Sequence, residues 1–298
     1  MHRLLLLSFF LVTAVHAQTY EVGARYWLSS GKRVSSHNAQ GVDPTLGNPT
    51  STLTYDHLTG HAVELYARRN SPARWFTRGS VGLGVLRSGW FEDEDFDRGQ
   101  RRFSDTFSPV KGYSLAYATI DAGRDVWVFG EGRTVIGLFV GYSYWNERLD
   151  AYGAAFNVPR GEAPISESIK VITNDTTWHS LRVGIAASAR FTERTRVTID
   201  AALVPYSAVR DEDSHFLRTS SDDLGPVPNI IMEGSGKGYQ LDMELRHAIQ
   251  ENWELGAGLR YWLLRATRGH RLAAGTSVPM TELESRRSGL LLSLTRRW

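Results

Sequence analysis

The chain has 298 residues, 42% apolar and 22% charged, no cysteine, and 34 Lys and Arg against 32 Asp and Glu, a net charge of +2. Lack of cysteine excludes a disulfide-stapled miniprotein. The apolar and aromatic content excludes a disordered chain, and the near-neutral balance carries no nucleic-acid footprint.

At the start, His2 and Arg3 precede an apolar run from Leu4 to Val12, broken only by Ser8, and Val15-His16-Ala17 resembles a cleavage site. Residues 1–17 are expected to be a secretory signal peptide, the run being too short for a spanning helix, and residues 18–298 the exported domain.

Beyond the leader the hydropathy period is two, the signature of strands. Val22, Ala24, Tyr26 and Leu28 alternate with Glu21, Gly23, Arg25 and Trp27. Ten strands are expected, at 20–34, 50–68, 75–91, 113–128, 134–149, 176–190, 196–209, 238–248, 253–268 and 285–298. The faces of 113–122 are ambiguous; those of 181–190, 197–203, 239–246, 253–261 and 290–295 are clear. Connections alternate between short, at 69–74, 129–133, 192–195 and 249–252, and long, at 35–49, 92–112, 150–175, 210–237 and 269–284. Long strands with one greasy and one charged, Gly-rich face, joined by short turns at one end and long loops at the other, are the pattern of a bacterial outer-membrane barrel. The expected fold is all-β: a ten-stranded antiparallel transmembrane β-barrel with long extracellular loops and both termini at the short-turn end. Arg25, Asp200, Asp242, Glu244 and Arg260 fall on its inner face. Aromatics near strand ends, among them Tyr26, Trp27, Trp75, Phe76, Tyr144, Trp145, Trp178, Tyr206, Trp253, Tyr261 and Trp262, are expected as interfacial girdles.

Two long loops carry candidate chemistry. The second opens Phe91-Glu92-Asp93-Glu94-Asp95-Phe96-Asp97. Such a run reads as a solvated acidic loop, as an oxygen-rich Ca²⁺ site lacking EF-hand spacing, or as an Asp93–Asp95 pair sharing a strand face, able to hold a water between two carboxylates that resist joint ionisation. The fourth opens Arg210-Asp211-Glu212-Asp213-Ser214-His215. Asp213 and His215 also share a face on an extended strand, and a carboxylate beside an imidazole fixes its tautomer and raises its basicity. One cluster follows the third strand and the other the seventh, nearly opposite on a ring of ten.

The arrangement resembles the omptin family of outer-membrane proteases, ten-stranded barrels with an Asp-x-Asp and an Asp-x-His pair on opposite walls of an extracellular cleft. Asp93-Glu94-Asp95-Phe96 and Asp213-Ser214-His215 match those motifs, the first with Phe where the family usually has Trp. Ser30-Gly31-Lys32, Ser51-Thr52-Leu53-Thr54-Tyr55, Ser104-Asp105-Thr106 and Ile136–Tyr142 resemble further family segments. The resemblance implies an endopeptidase in which Asp213 orients His215, the general base, while Asp93 and Asp95 position the water and the oxyanion. It implies no metal or organic cofactor, polypeptide substrates, and a requirement for lipopolysaccharide, although the family's lipid-binding spacing is not reproduced. A monomer is expected. Of the family's two acidic pocket residues one falls at Asp211, but the other falls at Ser35, so a weaker preference for Arg or Lys is expected. The alternative is a non-catalytic barrel, either an adhesin or structural protein or a narrow pore.

Overall fold

The computed structural model describes residues 18–158 and 163–298; the expected signal peptide lies outside the described residues. Ten strands run Thr19–His37 (β1), Ser51–Asn70 (β2), Trp75–Asp97 (β3), Arg101–Phe129 (β4), Thr134–Phe156 (β5), Ile165–Arg190 (β6), Thr195–His215 (β7), Ile230–Gln250 (β8), Trp253–Ala273 (β9) and Thr276–Arg297 (β10). Each pairs antiparallel with its sequence neighbours, and β1 also pairs with β10, closing the ring. Closure gives every strand two hydrogen-bonded partners and removes the open edges that lipid cannot satisfy.

The alternation sorts side chains as the sequence analysis expects. Val63 and Leu65, Leu181, Val183 and Ile185, Leu241, Met243 and Leu245, and Leu290, Leu292 and Leu294 are exposed on the outer face, forming an apolar belt. Their alternates turn inward and pair. Arg25 contacts Glu64 at 2.6 Å and Glu244 at 2.7 Å, Arg260 contacts Asp242 at 2.6 Å and Glu64 at 2.7 Å, and Arg78 bridges Asp121 and Asp200. An all-β, closed antiparallel barrel with a greasy outside and a charged inside has the architecture of outer-membrane proteins.

Two expectations change. Trp27, Trp145, Trp178 and Trp262, expected in interfacial girdles, are at most 3% exposed and form the barrel's interior with Tyr117, Leu264 and Leu283. Phe76 is likewise buried, against Phe139. The pleat decides this: Trp27 shares parity with Arg25, whereas Tyr26 is on the outer face. Edge-to-face contacts at 5.2–5.9 Å join Trp27, Tyr117, Trp145 and Trp262 into a plug across the lumen.

Most of the stretches expected as long loops are also sheet. β4 starts at Arg101 rather than 113, β6 at Ile165 rather than 176, and β10 at Thr276 rather than 285. The β3–β4 connection shrinks to residues 98–100 and the β9–β10 connection to 274–275. Strands of 19–29 residues far exceed the ~9–11 that cross a bilayer, so the wall continues well past the belt. There the outer face meets water, and the greasy-outside alternation that marks a strand disappears while the hydrogen-bond ladder continues. The hairpin tip after β3 is fixed by backbone: Arg98 N–H donates to Thr45 C=O at 2.7 Å, and Gly99 has φ +70° with Asn48 so close that a Cβ would lie 2.4 Å from its carbonyl oxygen. This ties the acidic end of β3 to the β1–β2 connection.

Candidate active site

Both dyads sit on strand ends that rise above the belt. On β3 the pleat splits the acidic run. Glu92 and Glu94 face outward, where Arg102 meets Glu94 at 2.7 Å. Asp93 opposes Leu53 and Asp95 opposes Ser51 on β2, on the inward side. The run expected as a loop is therefore a strand whose carboxylates are divided between two faces. Ser51 Oγ donates to Asp93 Oδ1 at a long 3.5 Å. Burial, followed by the neighbouring Asp95 carboxylate, pushes the Asp93 carboxyl up to about 7. Two crowded carboxylates in a poorly solvated place retain a proton that an exposed Asp loses. Among the described residues no group of three or more His, Asp or Glu is arranged to hold a metal ion.

On β7, Asp211, Asp213 and His215 share the inward face while Arg210 and Glu212 pair outside at 3.0 Å. His215 Nε2 lies 3.2 Å from Asp213 Oδ2. Burial works against the imidazolium, but the Asp213 charge and hydrogen bond, then Asp93, outweigh it and raise the His215 pKa. Burial likewise opposes ionisation of Asp213, and His215, Arg271 and Arg33 overcome it to hold that carboxyl below its ordinary value. With Nε2–H given to Asp213, the other ring nitrogen is the basic one.

The two walls sense each other. His215 and Asp213 both act on the proton affinity of Asp93, and Asp93 acts on that of His215. Strands β3 and β7 stand four apart in the ring, and the structure brings Asp93, Asp95, Asp213 and His215 to one mouth of the barrel.

The remaining two site residues are both fully buried. Ser35 is buried on β1, opposite Leu53 of β2 and Leu283 of β10. Asp211 is 1% exposed and fully engaged: Arg33 Nη2 at 2.7 Å, Asn174 Nδ2 at 3.0 Å and Thr176 Oγ1 at 2.5 Å. Arg33 itself is 0% exposed, donates to Thr176 through Nε and lies over the Tyr55 ring. The floor beneath the dyads is therefore a neutralised ion pair rather than an open carboxylate.

Four residues of the site escaped sequence reasoning. Arg33 reads as an ordinary charge in a strand. Asn229 locks the His215 backbone, accepting its N–H at 2.9 Å and donating to its C=O at 3.1 Å, an interaction across the β7–β8 connection that no spacing announces. His37, at the end of β1, is 6% exposed; burial, then Arg271, lowers its pKa to about 3, so it is neutral. Arg271, the fourth, acts on both walls.

No protein-family model matches the sequence, and no curated protein matches it. Among solved structures, the chain is similar to the outer membrane protease OmpT from Escherichia coli, at TM-score 0.74 and 12% identity over 96% of this chain and 100% of that one. Looser similarities reach a major outer membrane protein from Thermus thermophilus, at TM-score 0.38, 12% identity, 95% of this chain and 100% of that one. The toluene transporter TbuX of Ralstonia pickettii gives TM-score 0.28 and 13% identity, with 94% and 89% covered. At 12% identity the likeness to OmpT is one of fold. The ring, the strand order and the inward charges thus define a closed outer-membrane-type β-barrel.

Proposed function

We propose that the protein is an omptin-like outer-membrane endopeptidase with its active mouth outside the cell. In this reading a water sits between the Asp93–Asp95 pair and His215. The basic nitrogen of His215 takes a proton from that water as its oxygen attacks the peptide carbonyl carbon, and Asp213 orients the ring and stabilises the imidazolium. The Asp pair, retaining one proton, holds the water and donates toward the developing oxyanion. His215 then returns the proton to the leaving amine. The mechanism uses no metal, no organic cofactor and no covalent intermediate. Substrates are polypeptides, lipopolysaccharide is the lipid partner, and the chain acts as a monomer.

The observation that supports this reading is the placement of the Asp93–Asp95 pair and of the Asp213–His215 pair, joined at 3.2 Å, on the inward faces of strands four apart at one mouth, where each wall shifts the proton affinity of the other. The plugged lumen, with Trp27, Trp145 and Trp178 at most 1% exposed, fits a site on top of a closed barrel better than a pore through it. The test is refolded 18–298 in detergent, with and without lipopolysaccharide, against a peptide library. The barrel should shift mobility on heating in an SDS gel, and wild type should cleave peptides where His215→Ala does not. A wild type that leaves every peptide intact with lipopolysaccharide present replaces this reading with a non-catalytic barrel.

A further inference from the structure

The mechanism above makes no use of Arg271. Arg271 lies near the end of β9, where the register opposes it to Met232 of β8 and Val278 of β10. Both neighbours are buried inside the barrel, and Leu272 beside it is exposed outside, so Arg271 faces inward. Met232 in turn opposes Asp211 on β7, which sets Arg271 in register with the floor of the site, two residues along β7 from Asp213. An irregularity after Ala266 makes this possible: Leu264 and Ala266 face in below it, and Arg271 and Ala273 face in above it. In the ring β9 stands two strands from β7 and four from β3.

The other buried arginines of this half close onto carboxylates, Arg33 onto Asp211 at 2.7 Å and Arg287 onto Glu147 at 2.6 Å. Arg271 differs. Among the described residues no carboxylate oxygen lies within 4.0 Å of its guanidinium. Its charge nonetheless acts on Asp213 of one wall and on Asp93 and Asp95 of the other. It stands between the walls without closing on either. Two further atoms at this place, His37 Nδ1 and Asp213 Oδ1, are buried without a hydrogen-bond partner.

We propose that Arg271 is the electrophile of the site: it donates to the carbonyl oxygen of the scissile peptide and carries the negative charge that appears there. This rests on the endopeptidase reading. As the water oxygen bonds to the carbonyl carbon, one water proton passes to His215 and the carbonyl π pair moves onto oxygen, whose charge the guanidinium meets. When the carbon–nitrogen bond breaks, that pair returns to the carbonyl and the amine nitrogen takes the proton from His215. The Asp pair cannot carry this oxyanion alone: it has at most one proton to offer, and its ionised member repels the new charge. A guanidinium is cationic throughout the working pH range, and its fork keeps donors aimed at one oxygen. Because it contacts no carboxylate beforehand, it has no ion pair to break as the charge develops.

The test compares wild type, Arg271→Gln and Arg271→Lys on a cleaved peptide and on its phosphonamidate analogue, a stable tetrahedral anion. Removal of an oxyanion donor typically costs ~10²–10³ in kcat, so Arg271→Gln should lose about that factor with KM changed only a few-fold. Its affinity for the phosphonamidate should fall with kcat/KM. Arg271→Lys, which keeps the charge without the fork, should recover part of the loss. If Arg271→Gln loses its heat-dependent mobility shift, Arg271→Lys decides: a kcat loss at steady KM supports the proposal, and unchanged kcat overturns it. Wild-type kcat in a folded Arg271→Gln, or a loss confined to KM, overturns the proposal and leaves the endopeptidase reading standing. A wild type that neither cleaves peptide nor binds the phosphonamidate removes the endopeptidase reading, and this proposal with it.

Discussion

Arg33 is the residue whose replacement should most change what the site accepts. Its guanidinium lies 2.7 Å from Asp211, and both side chains are sealed from solvent, so the carboxylate under the dyads is already neutralised from within. Arg33→Ser removes that cation and leaves space where it lay. Asp211 keeps its bonds from Asn174 and Thr176 but loses its counter-charge. Breaking a buried pair by removing one partner costs about 3–5 kcal/mol, and the two remaining bonds put this case at the lower end. The freed carboxylate should then receive a substrate Arg or Lys. A charge partner of this kind is worth ~1–3 kcal/mol of discrimination, roughly ten- to hundredfold in kcat/KM. The assay is cleavage of matched peptides carrying Arg, Lys, Ala or Glu before the scissile bond, with stability read in parallel from the temperature of the gel-mobility transition. Wild type should show little preference for Arg, and Arg33→Ser should acquire one while melting earlier. Arg33→Met with Asp211→Leu should recover the stability and show no such preference. A sharp wild-type Arg preference that survives Asp211→Asn, or an Arg33→Ser variant with unaltered selectivity, would refute the reasoning.

Other outcomes follow from the same geometry. His215→Ala, and Asp93→Ala or Asp95→Ala, should each lower turnover by on the order of 10²–10⁴, with the heat-dependent mobility shift retained. Activity should rise on the acid side as His215 gives up its proton, with a midpoint above the ordinary imidazole value of ~6.5 because Asp213 and then Asp93 hold that proton on against burial. In Asp93→Asn the His215 resonance should titrate lower, followed by NMR. By the same linkage, the stability that the His215–Asp213 pair adds is present in full below the unfolded imidazole pKa and is lost as pH rises through the raised one. Arg260→Met strands Asp242 in the lumen and leaves Glu64 with Arg25 alone, and should cost ~3–5 kcal/mol, read as an earlier thermal transition, with activity per folded molecule unchanged. Chelators should leave peptide cleavage untouched; a loss with EDTA restored by Ca²⁺ or Zn²⁺ would overturn the metal-free mechanism.

Much of the architecture was legible because lipid imposes a one-residue rule. In the belt each outward side chain must be apolar, so the alternation Tyr239, Leu241, Met243, Leu245 marks a strand, its faces and the membrane side at once. The count of ten strands came from the same signal, whereas the expected alternation of short and long connections did not hold, since the β3–β4 and β9–β10 connections are only residues 98–100 and 274–275. The Asp93–Asp95 and Asp213–His215 pairs were legible for a related reason, since a spacing of two puts both members on one face of any strand. Above the belt that rule lapses. Residues 101–112 and 165–175 pair into β4 and β6 with no clear greasy face, because water accepts either kind of side chain there and only the backbone ladder enforces the strand. Parity separates Trp27 from Tyr26, yet only the packed lumen shows that four tryptophans meet inside it rather than at an interface. The floor and the electrophile were out of reach for a deeper reason. That Arg33 meets Asp211, that Asn229 clamps His215 and that Arg271 stands between two walls are relations between strands distant in sequence, set by ring closure, register and one irregularity in β9. A sequence states which groups share a face; only the closed barrel decides which faces look at one another.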